Sequence, residues 1–148
     1  MPRHSTSQVL NRVLATLYRS LPMYLQWSCP WVHSGDERAV AAVKRIVDDQ
    51  MALCRRISEH ILEHHDRIDL GEYPTSFTSL HDVAIDYLIG RLVECQKDDI
   101  RVLERCVSQL DHDPPARSLA EEALGAARGH LESLQELSGL TINSPSVR

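Results

Sequence analysis

The sequence contains few of the residues that interrupt regular structure. Glycine occurs 6 times and proline 7 times among 148 residues, and aromatic side chains make up only 5%. Such a composition favours a few long helices over many short strands and turns. Hydrophobic residues at 43% and charged residues at 25% are ordinary for a globular protein, which excludes a disordered chain, a collagen and a disulfide scaffold. A chain of this length can bury about two thirds of its unfolded surface, so we expect one domain over 1–148.

An excess of positive charge and long apolar runs are also missing. The chain has 16 basic and 21 acidic side chains and a net charge of -5, so it offers no basic surface for nucleic acid or an anionic membrane. No apolar run approaches the roughly 18–20 residues that span a bilayer. The first residues lack the apolar core of a signal peptide. We therefore expect no nucleic-acid partner and no membrane partner.

The four cysteines lack the spacing of a metal knot or a redox pair. They are Cys29, Cys54, Cys95 and Cys106, and no two of them form a C-x-x-C motif. Free thiols are typical of proteins in a reducing compartment. We expect reduced cysteines in a cytoplasmic protein.

Apolar residues recur every three or four positions in four segments of the chain. This spacing predicts helices over 8–28, 36–65, 79–110 and 115–138, followed by a loose tail over 141–148. Pro22 should kink the first helix because it removes a backbone donor, and Thr78 or Ser79 can cap the third. The first and third connections are short, whereas the second is long enough to cross a bundle. The sequence thus predicts an all-α four-helix bundle, in which two antiparallel hairpins are joined by a crossover between helices two and three.

Five polar residues fall on helix stripes that should be apolar, when residues are placed about 100° apart. They are the candidate site residues: Gln50 on helix two, Arg91, Glu94 and Asp98 on helix three, and His130 on helix four. A purely structural interpretation of the helix-three residues is a ladder of ion pairs at a dimer interface. The corresponding interpretation of His130 is a histidine at the edge of the core, hydrogen-bonded to Glu94 or Gln50.

The helix order, the crossover and the run Glu121-Glu122 to His130-Leu131-Glu132-Ser133-Leu134 resemble the ferritin-like superfamily, especially its bacterioferritin-type members. The resemblance covers about residues 8–138. It implies a di-iron centre with one Glu from each of helices one and three and a Glu-x-x-His pair from each of helices two and four. The positions that match these ligands hold Leu17, Gln50 and Leu53, Glu94, Ala127 and His130. Only Glu94 and His130 keep a metal-ligating side chain.

This departure from the family pattern decides the expected chemistry. Two iron ions carry several positive charges, which bridging carboxylates neutralise, and Glu94 with His130 cannot do so alone. Arg91 lies one turn from Glu94 and would repel a cation. We hypothesise that Arg91, paired with Glu94 and Asp98, replaces the charge of the lost metal. The resemblance then implies a non-enzymatic structural or interaction module without a cofactor, which forms a homodimer as ferritin-like chains commonly do.

Two other functions stay open. The first is a divergent metal-binding or iron-handling protein that uses Glu94 and His130, with Asp48 or Asp49 as a further ligand. The second is a bundle that binds a small molecule in a polar cavity near Gln50, Glu94 and His130.

Two further clusters have structural explanations. His60, His64 and His65 could chelate a metal, but the polar run around them is typical of a solvated helix end. The aromatic residues Tyr24, Trp27 and Trp31 are expected to pack against the crossover around Tyr73 and Phe77.

Overall fold

The structure is a computed structural model that describes residues 5–28, 37–80 and 85–143. These residues form five α-helices and no strand, which confirms the predicted all-α class. The helices are α1 (Thr6–Tyr18), α2 (Leu21–Ser28), α3 (Glu37–Glu63), α4 (Ile85–Ser108) and α5 (Pro114–Asn143), and a 3-10 helix (Thr75–Leu80) precedes α4. Within the described residues, none of these helices combines the length and the apolar character that a membrane span requires.

The segment predicted as one kinked helix over 8–28 is two helices that meet at Ser20. α1 ends at Tyr18 and α2 begins at Leu21. The Ser20 hydroxyl oxygen accepts a hydrogen bond from the backbone N–H of Met23 at 3.4 Å, as a helix-capping side chain does. Pro22 therefore lies in the first turn of α2, where its missing N–H would have no helical partner. The chain breaks at the cap and does not kink at the proline.

The start of α4 and the end of α5 also differ from the predicted boundaries. Thr78 and Ser79 lie in the 3-10 helix and not at the start of α4, and residues 81–84 lie outside the described residues. α5 continues to Asn143, so the first three residues of the predicted tail are helical. Residues 144–148 lie outside the described part, as do Cys29 and Trp31.

Aromatic rings join α2 to the connection between α3 and α4. The ring of Tyr24 packs edge-on against Tyr73 at 5.3 Å between centroids, and its centroid lies 5.5 Å from that of Phe77. The expected packing of the aromatic cluster is confirmed for Tyr24. The side chain of Trp27, like the whole of Trp31, lies outside what the structure describes.

The apolar core is divided into two clusters along the helices. One cluster joins α1 and the first part of α5 to the later parts of α3 and α4, and Leu14 and Leu103 are fully buried in it. The other joins α2, the first parts of α3 and α4 and the later part of α5, and Leu21 and Leu88 are fully buried there. Burying one such side chain stabilises the fold by about 1.5–3 kcal/mol. The two clusters are separated by the polar side chains described below.

The connection between α3 and α4 lies along α1. Near its start, the Asn11 side-chain amide donates to the carbonyl of Arg67 at 2.8 Å. Near its end, Arg19 Nε donates to the carbonyl of Gly71 at 3.0 Å. α3 packs against α1, α2 and α5, and α4 packs against α1 and α5. The chain thus leaves α3 beside the first turns of α1 and reaches the end of α1 before α4 begins.

Candidate functional site

Four buried polar side chains lie between the two apolar clusters, and we call them the polar layer: Ser20, Gln50, Gln96 and His130. Each is at most 7% exposed. Ser20 lies at the junction of α1 and α2, and the other three come from α3, α4 and α5. On each of these three helices the polar residue follows a member of one apolar cluster and precedes a member of the other. The interior is therefore polar at one level, near the middle of the helices.

Hydrogen bonds between neighbouring elements hold the polar layer. The Ser20 hydroxyl donates to Gln50 Oε1 at 2.7 Å, which ties the α1–α2 junction to α3. Gln96 Nε2 donates to the carbonyl of Ala127 at 3.0 Å, which ties α4 to α5. A buried polar group is costly only where it lacks a partner. Gln50 and Gln96 are therefore compatible with the core as neutral, hydrogen-bonded amides.

His130 completes the polar layer and is bonded to a carboxylate at the surface. Its Nε2 atom lies 2.7 Å from Asp49 Oδ2, so the bond joins α5 to α3. The His130 side chain is 9% exposed and the Asp49 side chain 51%. The expected partners of this histidine were Glu94 or Gln50, and the structure replaces them with Asp49. His130 Nδ1 is buried and has no hydrogen-bond partner within the described part of the chain.

The predicted interior carboxylates of α4 lie on the surface. The side chains of Glu94 and Asp98 are each 67% exposed. Arg91 Nη1 binds Glu94 Oε2 at 3.0 Å, as hypothesised, but Asp98 pairs with Arg101 and not with Arg91. These contacts are pairs three residues apart on the surface of one helix, which contribute only about 0.2–0.5 kcal/mol each.

The prediction placed Glu94 and Asp98 in the interior because it assumed the wrong buried side of α4. The predicted stripe ran through Tyr87, which is 55% exposed. The buried line of α4 runs instead through Leu88, Leu92 and Gln96, at spacings of four. Rotating the stripe by one residue, or about 100°, turns both acids to solvent. The same rotation brings Asp99, which the sequence interpretation missed, toward the interior.

Asp99 faces a cleft of about 240 Å³ between α4, the α1–α2 junction and the 3-10 helix. Burial raises the pKa of the Asp99 carboxyl to about 7, and the neighbouring charge of Asp98 adds to the shift. Among the described residues, neither a hydrogen bond nor a cation offsets that burial. The polar side chains that line the cleft with Asp99 are Arg19, Ser20, Ser76, Arg91, Cys95 and Asp98.

The cations of the cleft already have partners. Arg19 lies over the rings of Tyr18 and Tyr73, at 5.1 and 4.8 Å from their centroids, and donates to the carbonyl of Gly71. Arg91 pairs with Glu94 on the surface. Asp99 is thus a desolvated carboxyl beside cations that are engaged elsewhere.

The thiols within the described residues are not activated nucleophiles. Burial raises the pKa of Cys54 to about 12. Burial also raises the pKa of Cys95, although Arg91 acts in the opposite direction. For Cys106 the same cause raises the pKa of the thiol. Because the thiolate is the reactive species, these three cysteines are suited to packing and not to catalysis.

The side chains gathered here do not match the ligand set of a di-iron centre. Such a centre uses four carboxylates and two histidines, whereas the polar layer contains a hydroxyl, two amides and one imidazole. Within the described residues, no three His, Cys, Asp or Glu side chains converge on a common point. The rings of His60 and His64 lie 4.4 Å apart at the end of α3, which makes a pair and not a closed site.

No protein-family model matches the chain, and a search of curated proteins also finds no match.

Proposed function

We propose that the protein is a ferritin-like helical bundle without a di-iron centre, which acts as a non-enzymatic structural or interaction module. The path of the connection between α3 and α4 supports the topology. Because that connection follows α1 from its first turns to its last, α3 and α4 run in the same direction. Each of them packs against α1 and α5. Such packing fits two antiparallel hairpins joined by a crossover.

The observation that carries the proposal is the hydrogen bond between Ser20 and Gln50 in the polar layer. In the family that the sequence resembles, this level of the bundle holds carboxylates around two metal ions. Here a hydroxyl and an amide satisfy each other at 2.7 Å with no charge to balance. Glu94, the one matching carboxylate, pairs with Arg91 at the surface. The polar layer thus performs a structural task, since its bonds fix how the helices pack.

Metal analysis of the full chain, purified from iron-supplemented cells, tests this proposal. We expect iron far below one atom per chain and no oxidation of added ferrous iron above the buffer rate. If iron is stoichiometric, the proposal is overturned. In that case, loss of the iron in Glu94→Ala and His130→Ala would assign it to the two matching positions, and Glu104→Ala serves as the control at an exposed carboxylate without an ion pair in the described structure.

A second candidate function rests on the cleft beside Asp99: the binding of a small organic amine. The Asp99 carboxyl is largely shielded from solvent and has no hydrogen-bond donor among the described residues, whereas Asp98 at the same cleft pairs with Arg101. An ammonium group in the cleft would provide the missing cation and hydrogen bonds. The volume of about 240 Å³ suits a ligand smaller than a drug-sized molecule.

Titration with ethylamine tests the second candidate, with sodium chloride as the control for ionic strength. We expect saturable chemical-shift changes in α4 around Asp99, and their loss in Asp99→Asn. Asp98→Asn is the matched variant and should keep most of the response. Equal responses to ethylamine and to sodium chloride would exclude this function.

A further inference from the structure

Two histidines at the end of α3, His60 and His64, have rings that lie against each other. The ring centroids are 4.4 Å apart and the ring planes are tilted by 32°. Residues four apart on a helix face the same side, so the helical backbone itself places the two imidazoles together. His60 is half-buried and His64 is exposed, so solvent reaches the two rings from the side of His64. We call these two side chains the histidine pair.

The backbone determines which nitrogen of His64 can bind a ligand. His64 Nδ1 lies 2.8 Å from the carbonyl oxygen of His60. Because a carbonyl oxygen only accepts, Nδ1 carries the hydrogen in this bond, and the neutral ring presents the lone pair of Nε2. Histidines that ligate metal ions commonly have this arrangement, in which a carbonyl or carboxylate orients the ring through its other nitrogen.

The second ring of the pair has a nitrogen without a partner. His60 Nε2 is buried, and no hydrogen-bond partner lies within reach of it among the described residues. A buried polar atom without a partner is unfavourable for the fold, and a ligand to this atom would remove that cost. The histidine pair thus combines one Nε2 that the backbone orients with one Nε2 that lacks a partner.

The distance between the two rings fits coordination of a single ion by both of them. A Zn–N bond is about 2.0–2.1 Å long, and the centre of an imidazole ring lies about 1.2 Å beyond the nitrogen. For an N–metal–N angle between about 90° and 109°, the two centroids are then about 4.6–5.3 Å apart. The observed 4.4 Å is close to the lower end of this range. The terminal torsion of histidine is soft, so a small rotation directs both nitrogens at one ion.

We propose that the histidine pair binds one divalent transition-metal ion through Nε2 of His60 and Nε2 of His64. Water completes the coordination, because within the described part of the chain no third His, Cys, Asp or Glu joins these two residues. Two neutral imidazoles favour zinc, copper or nickel over magnesium, calcium or manganese, which prefer oxygen ligands. Neither histidine occupies a position that matches a di-iron ligand, so this site is separate from the polar layer and goes beyond the proposed function.

The end of a helix is a favourable place for a cation. The carbonyl groups of the last turn carry partial negative charge, and α3 ends at Glu63. Glu59 and Glu63 are exposed and form no ion pair within the described structure, so their charges partly balance that of the ion. Arg56, one turn before His60, is already paired with Glu122 at 2.7 Å.

Coordination by both histidines requires that the last turn of α3 is closed. The N–H of His64 donates to the carbonyl of His60 at 3.3 Å, and the N–H of Asp66 donates to the carbonyl of Ile61 at 3.2 Å. An ion held by residues 60 and 64 bridges the same turn, so metal binding and closure of the helix end stabilise each other. The ion thus acts where the chain leaves α3 for the connection to α4.

Titration of the metal-free full chain with zinc chloride at neutral pH, followed by the imidazole nitrogen signals in NMR, tests the proposal. We expect saturable binding of one Zn²⁺ that shifts both Nε2 signals. His60→Ala and His64→Ala should each lower the affinity about tenfold or more, since even the loss of an outer partner of a metal ligand costs about 10–100-fold. His65→Asn is the matched control and should bind as the wild type does. It removes the neighbouring exposed imidazole, and asparagine tolerates the φ of 60° at this position.

Hydrogen exchange of the backbone gives a second measurement. Zn²⁺ should slow the exchange of the His64 and Asp66 amides in the wild type and leave it unchanged in His64→Ala. Circular dichroism identifies a variant that fails to fold, and the exposed His64 decides the question if His60→Ala does not fold. Zinc binding that is absent in the wild type, or equal in the wild type and His64→Ala, overturns the proposal, and so does an equal loss in His65→Asn. The proposed absence of a di-iron centre is judged by iron content alone, so either result with zinc leaves it unaffected.

Discussion

His130 Nε2 lies 2.7 Å from Asp49 Oδ2, and this bond joins α5 to α3 at the edge of the polar layer. The imidazole is buried, whereas about half of the carboxylate side chain is exposed. His130 Nδ1 has no partner within the described structure, so the bond from Nε2 to Asp49 is the only hydrogen bond of the ring there. A surface carboxylate therefore determines how well an interior side chain is accommodated.

Asp49→Ala should destabilise the protein by about 1–3 kcal/mol, because it leaves both nitrogens of a buried ring without a partner. Asp49→Asn keeps an oxygen acceptor and should recover most of the loss. Glu104→Ala, which removes an exposed carboxylate on α4, should change the stability by less than about 0.5 kcal/mol. Urea unfolding at pH 7 and one fixed protein concentration measures all three, since dimerisation would add to the apparent stability. Equal values for Asp49→Ala and Glu104→Ala would contradict the role of this bond.

A double-mutant cycle on Ser20 and Gln50 tests the bond that ties the α1–α2 junction to α3. Ser20→Ala should cost about 1–3 kcal/mol, because it leaves Gln50 Oε1 unpaired and removes the oxygen that caps Met23. In the Gln50→Leu background the same change should cost less, with a coupling of about 1 kcal/mol. Additive losses in urea unfolding would show that the two side chains act independently.

The helices could be predicted because their apolar residues recur at three and four positions over many turns. The break at Ser20 could not be predicted from that signal. Leu17, Leu21 and Leu25 continue the four-residue spacing straight through it. The hydrogen bond of Ser20 with a residue 30 positions later depends on tertiary packing, which a local pattern does not contain.

The candidate site was predictable where the phase assumed for the apolar stripe is correct. Gln50 and His130 sit on such stripes, and the structure places both in the interior. On α4 the assumed stripe ran through Tyr87, which is 55% exposed, so its phase was wrong by about one residue. The sequence pattern did not identify Asp99 for a second reason. Asp99 follows Asp98 directly, and two adjacent acidic residues are typical of the solvent-exposed side of a helix.

His65→Gly should stabilise the protein by about 0.5–1 kcal/mol. His65 follows the end of α3 with a φ of 60°, in the left-handed region that glycine adopts without strain. The next residue, Asp66, donates its N–H to the carbonyl of Ile61 at 3.2 Å, so the backbone turn closes the helix end. Thermal unfolding measures the gain.

Gly71→Ala makes the opposite change in the connection between α3 and α4, because it removes a glycine from a left-handed position. Gly71 has a φ of 65°, and an added Cβ would meet Ala15 Cβ at an ordinary 3.7 Å. Its cost should therefore be conformational, at about 1–2 kcal/mol. If neither variant changes the melting temperature, the left-handed positions do not limit the stability.

Asp99→Asn should stabilise the protein above neutral pH and have little effect in acid. The carboxyl has a pKa of about 7 in the folded protein and an ordinary value of 3.8. Below the ordinary value, both the folded and the unfolded states are protonated and the group costs nothing. As the pH rises from there to about 7, the unfolded chain loses its proton first, so the stability falls. Above pH 7 the full penalty of a buried charge is present.

The neutral amide avoids this penalty, so Asp99→Asn should raise the free energy of unfolding at pH 8 by about 1–3 kcal/mol. The gain should shrink steadily as the pH is lowered toward 4. Asp98→Asn is the matched control, because Asp98 is 67% exposed and pairs with Arg101. Urea unfolding from pH 4 to pH 8 gives the comparison. A gain for Asp99→Asn that is the same at every pH would mean that burial does not hold this carboxyl in its protonated form.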